Sequence, residues 1–169
     1  MQLTSVPMAY DSAIVHADHL PQIRRLILAL LSFGLVALLG ELIALGHDED
    51  VNQWIPLVAI STTLVVIAWQ AASGSAASAK VLRFACIGLL FVGVTGIILH
   101  YRGNVEFQLE VSPELHGWAL FRKALNAKAP PALAPGVMAQ LGLLGLIYTF
   151  RHPALRSPAD QPVPVKLER

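Results

Sequence analysis

Four stretches of this chain are nearly free of charge and long enough to leave water altogether. They are LILALLSFGLVALLGELIAL (Leu26 to Leu45), WIPLVAISTTLVVIAWQAA (Trp54 to Ala72), VLRFACIGLLFVGVTGIILHY (Val81 to Tyr101) and APGVMAQLGLLGLIYTF (Ala134 to Phe150). Crossing a hydrocarbon core takes about 20 helical residues, and the fourth stretch is the shortest of the set. In lipid every backbone N–H and C=O must be paired inside the protein, which forces such stretches into helices. The expected fold is therefore an all-α membrane protein, a four-helix transmembrane bundle covering residues 26–150. Tails of 25 and 19 residues flank it at 1–25 and 151–169, and a large loop, residues 102–133, joins spans three and four.

The breakers between the runs agree with this division. GHDEDVN (46–52) is short and polar, SGSAAS (73–78) is a small-residue turn, and the prolines of APPALAP (129–135) interrupt any helix. Pro135 suits the first turn of span four, where a missing N–H is harmless, and Pro153 closes the same helix. Only 14% of the residues are charged, against about 25% in an average soluble domain, and the mean hydropathy is +0.60. A net charge of +1 leaves no basic stripe for nucleic acid. The lone cysteine, Cys86, excludes an internal disulfide or a CxxC pair and reads as a small apolar residue. The first 25 residues lack the continuous apolar core of a signal peptide, so span one is expected to act as an uncleaved anchor.

Lys and Arg give the direction. Arg24, Arg25, Lys80, Arg83, Arg151, Arg156, Lys166 and Arg169 fall on one side; Arg102, Arg122, Lys123 and Lys128 fall on the other. The excess places both termini in the cytoplasm, and the uncleaved anchor suits a bacterial inner membrane. Trp54 and Tyr101 then mark the outer interface, Trp69 and Tyr148 the inner one. Gly93 and Gly96 in span three, and Gly142 and Gly145 in span four, are candidates for close helix packing, although no GxxxG motif occurs in the spans. Ser61, Thr62, Thr63, Thr95 and Gln140 read as hydrogen-bonding glue between helices, and Gln70 as a group near enough to the inner boundary to reach water.

The outer loop holds a different pattern. VEFQLEV alternates strictly, with Val105, Phe107, Leu109 and Val111 on one side and Glu106, Gln108 and Glu110 on the other. That is the period of a half-buried strand. No second strand with this pattern exists in the chain, so the segment is expected to lie extended over the bundle or to pair with another polypeptide. SPELHGWALFRKALNA (112–127) follows and reads as a short amphipathic helix, N-capped by Ser112, carrying Trp118 on its apolar side.

Three residues at the outer level of spans one and three could carry chemistry: Glu41, the single acid within a span, and His47 and His100. Imidazoles with a carboxylate suit a divalent metal, and two imidazoles can ligate haem. Their spacing matches no diagnostic motif, and no catalytic triad, phosphate loop or nucleotide fingerprint is present. The HADH segment of the tail (His16 to His19) reads as solvated. The expected role is a non-catalytic accessory or structural subunit that docks other membrane protein subunits, or further copies of itself, through the outer loop and the glycine-bearing faces. A metal- or haem-binding protein and a small transporter or channel are the alternatives.

Overall fold

A computed structural model of the chain describes residues 9–47, 50–127 and 133–156, with the side chains of 9–18 left aside. All regular structure among them is helical: α1 (Ala9–Ala44), α2 (Val51–Ser73), α3 (Ala76–Val111), α4 (Gly117–Leu125) and α5 (Ala134–Thr149), followed by a 3₁₀ turn at Pro153–Leu155. Three helices are long and apolar enough to cross a membrane, within His19–Ala44, Val51–Ser73 and Ala76–Val111; α5 is a shorter apolar helix of 16 residues.

These three helices and α5 close a ring. α1 lies beside α2, α2 beside α3, α3 beside α5, and α5 beside α1. Each contributes a stripe at three- and four-residue spacing to the centre: Leu31, Leu35, Leu38 and Leu42 from α1; Leu57, Ile60, Thr63 and Ile67 from α2; Leu82, Cys86 and Leu89 from α3; Met138, Leu141 and Tyr148 from α5. The outward faces are as apolar as the core. Phe33, Val65, Phe84 and Phe91 are each at least 70% exposed. Soluble monomers rarely expose apolar patches beyond a few hundred Å²; a lipid solvent removes that cost.

α3 and α5 approach closest, in antiparallel register. A Cβ on Gly93 would sit 2.6 Å from the Ala139 nitrogen, and one on Gly142 would sit 2.7 Å from the Leu90 nitrogen. Backbone packs on backbone at both points, a contact that any side chain would force apart. Gly96 faces Pro135, and Gly145 faces the Cys86 sulfur.

Several boundaries differ from the sequence expectation. VEFQLEV is neither extended nor a strand: residues 105–111 are the last two turns of α3, closed by the Ser112 N–H donating to the Gln108 carbonyl at 2.9 Å. A lone strand has no ladder partner, whereas a helix pairs its backbone within itself, and Glu, Gln and Leu are good helix formers. Ser112 ends this helix and does not begin the next; a turn follows, and α4 starts at Gly117, whose φ is +57°. At the other end, α1 is already helical from Ala9 and runs through Pro21, so residues 9–25 belong to the same helix as the first apolar stretch. Asp48, Glu49, Lys128, the prolines at 130 and 131, Lys166 and Arg169 lie outside the described residues.

Candidate functional site

Two arginines bracket the apolar stretch of α3. From Arg83 to Arg102 is 19 residues, a rise of about 28 Å, close to the hydrocarbon thickness. Residues 102–111 then project about 15 Å further as the same helix. On this stem Asn104 donates from Nδ2 to the Ala124 carbonyl of α4 at 3.1 Å, and Gln108, four residues on, is buried. The polar side of the stem thus holds α4, and apolar residues are left outside. Phe107 and Val111, one turn apart, are 59% and 63% exposed; Leu109 is partly exposed and Val105 half-buried. On α4, Trp118 is 69% exposed and stacks on Phe121 (5.0 Å between centroids), which in turn leans on Tyr101. The alternating sequence therefore yields an exposed apolar pair on a helix, flanked by the exposed carboxylates Glu106 and Glu110.

Just below this stem the structure brings His47 and His100 together, ring centroids 6.4 Å apart and planes 20° from parallel. Helix α1 ends in a turn in which the His47 N–H donates to the Leu42 carbonyl at 3.0 Å, and this turn presents the ring to α3. Glu41 is exposed on α1. Among the described residues no three His, Cys, Asp or Glu side chains converge.

The end of the bundle at which α5 terminates holds a polar network that sequence reading missed. Arg24 of α1 donates from Nη1 to the Tyr148 carbonyl at 2.7 Å and from Nη2 to the Phe150 and Arg151 carbonyls at 3.2 Å. Arg83 of α3 donates from Nη2 to the Thr149 carbonyl at 2.7 Å. Two guanidinium groups thereby reach the carbonyls at and just beyond the end of α5, that of Thr149 also accepting the His152 N–H at 3.3 Å, with charge of the sign that a helix C-terminus favours. Gln70 does not reach for water. It is buried, donates to the Tyr148 hydroxyl at 3.2 Å and accepts from the Ser78 hydroxyl at 2.6 Å. His152 packs at a tilt against Tyr148, ring centroids 5.3 Å apart, and sits near both arginines; burial first, then Arg24 and Arg83, hold its imidazole below the ordinary 6.5. The signal available in the sequence was the placement of Arg24, Arg83 and Tyr148 at span ends, which gives orientation but not partners.

Of the residues expected to glue helices together, Thr63 is buried but bonds within its own helix, its hydroxyl donating to the Ala59 carbonyl at 2.7 Å. Ser61, Thr62 and Gln140 are exposed. No family model, curated protein or solved structure matches the chain.

Proposed function

We propose that this chain is a four-span membrane protein with both termini in the cytoplasm, serving as a non-catalytic accessory subunit that docks a second membrane protein through its outer stem. The observation that carries the reading is the inverted polarity of residues 102–111. Asn104 is bonded to α4 and Gln108 is buried, while Phe107, Val111 and neighbouring Trp118 are exposed beyond the apolar stretch of α3. Apolar side chains rimmed by charge, here Glu106 and Glu110, are the composition of a protein-binding patch. The excess of Lys and Arg at the opposite end supports the orientation, and a bacterial inner membrane is the setting proposed.

Photo-crosslinkers placed at Phe107 and Trp118 in native membranes test it. The expected product is a discrete adduct of higher mass, absent when the crosslinker replaces Phe84 on the lipid face. A protein that crosslinks at neither position, and that purifies as a lone monomer in mild detergent, overturns the reading.

The His47–His100 pair favours a second reading, a metal- or haem-binding protein of the outer face. An absorption spectrum and metal analysis of the purified chain, repeated on His100→Ala, decide it. The core beneath Glu41 is filled by Leu38, Leu42, Leu57 and Ile60, so a transporter or channel with a wet path inward gains no support.

A further inference from the structure

A cleft of about 440 Å³ opens at the inner end, between α1 and the turn that follows α5. On the α1 side it is lined by Pro21, Arg24, Arg25 and Leu28, which recur at the i, i+3, i+4, i+7 spacing of one helix face. His152 and Arg156 form the other wall, and Tyr148 the floor. Arg24 directs its donors at the end of α5. The guanidinium groups of Arg25 and Arg156 belong to exposed residues and make no hydrogen bond or ion pair among the described residues. No Asp or Glu falls between His19 and Gly40, between Pro56 and Tyr101, or between Gly117 and Arg156, so no carboxylate from these stretches competes for them. His152 accepts the Ala154 N–H at Nδ1 (3.3 Å), which leaves Nε2 to donate in the neutral ring. Leu28 lies one turn deeper than Arg24 and is partly buried, so the cleft is cationic at its mouth and apolar below.

We infer that this cleft seats the phosphodiester headgroup of an anionic phospholipid of the inner leaflet, with Arg25, Arg156 and His152 on the headgroup and Leu28 on the start of an acyl chain. The inference rests on the membrane topology proposed above. Charge complementarity selects the occupant: basic pockets at the cytoplasmic end of membrane helices suit anionic headgroups, and the choline of a zwitterionic lipid would meet like charge. Each cation near such a headgroup contributes roughly fivefold in affinity, so removing two weakens binding about twenty-five-fold.

Native mass spectrometry of the full chain in detergent, titrated separately with phosphatidylglycerol, phosphatidylcholine and inorganic phosphate, tests the proposal. Retention of phosphatidylglycerol over phosphatidylcholine is expected, reduced at least tenfold by the double variant Arg25→Gln/Arg156→Gln and unchanged by Arg102→Gln at the outer end. Because the double variant can perturb folding, its circular dichroism must match that of the parent. The proposal is overturned by equal binding of the two lipids, by an undiminished double variant, or by inorganic phosphate displacing the lipid at equal concentration. It is also overturned if lipid binds only after Asp160→Asn, which would place the chain's own tail in the cleft. The detergent measurement is blind to which way the chain faces, so a C-terminal tag found outside the cell would reject the topology and leave the cleft untouched.

Discussion

At the proposed inner end, Arg24, Arg83, Gln70, Ser78 and Tyr148 direct their hydrogen bonds at one another and at the last turn of α5. At the outer end the stem of α3 and the short α4 share the Asn104–Ala124 bond and an aromatic row, and Phe107, Val111 and Trp118 face outward. One end ties its helices together with polar bonds and leaves a cationic cleft; the other presents apolar surface to whatever lies beside it. The contrast has a physical root. The last carbonyls of the 16-residue α5 have no following helical turn, and charged donors from neighbouring helices meet them. The stem stands clear of the span, and its backbone pairs within the helix whichever side chains it shows.

The comparison breaks most readily at the contact on which both ends depend. Gly142→Leu places a side chain against the backbone of α3 at Leu90 and Cys86; overpacking of this kind costs typically 1–3 kcal/mol, and about 3 or more where backbone must separate. Loss of the cooperative thermal transition in detergent is the expected result. Arg83→Ala leaves the Thr149 carbonyl without its charged donor, and a stability loss of about 2 kcal/mol is expected from chemical denaturation, with Arg83→Lys recovering part of it. If both arginine variants matched the parent, the inner end would be no better closed than the outer.

A smaller effect sharpens the same contrast. The folded His152 titrates below 6.5, so the unfolded chain binds more protons as the pH falls through that value. Stability contributed by the neutral ring is full above about 6.5, declines as the pH drops from there toward the lowered folded value, and is gone below it. The melting temperature should fall on acidification from pH 7.5 to 5.5, and His152→Ala should flatten that slope. Least of all, Phe107→Ser and Trp118→Ser should change stability by under about 0.5 kcal/mol, the range of surface substitutions, while abolishing any adduct formed at the stem. A large destabilisation would make these residues part of the fold and remove them as a docking surface.

The sequence was most legible where one solvent acts on every residue alike. The long apolar runs give the helices, and the glycines at 93 and 142 fall where two helices meet. It misled where a local period competes with backbone pairing. Alternation in VEFQLEV is real, yet nothing in the chain offers its edges a partner, and helix propagation from span three prevails. Gln70 was misread for a related reason. Its depth was visible, but its partner Tyr148 is 78 residues away, and only the ring arrangement of the helices brings them together. The pairing of His47 with His100 has the same character: their common level was readable, and the stacking needed coordinates.

The third helix is one unbroken rod of 36 residues, about 54 Å from tip to tip, with no proline along it. If such a rod stays straight, it acts as a lever. Any partner that pulls on Phe107 or Val111 must swing Arg83 in the opposite direction about the glycine contact at mid-length, straining its bond to the end of α5. Paired spin labels at Lys80 and Phe107 should then hold a fixed separation on partner binding while the distance from Lys80 to Arg151 changes; a shift in the first distance would show that the rod flexes and that the two ends are mechanically independent.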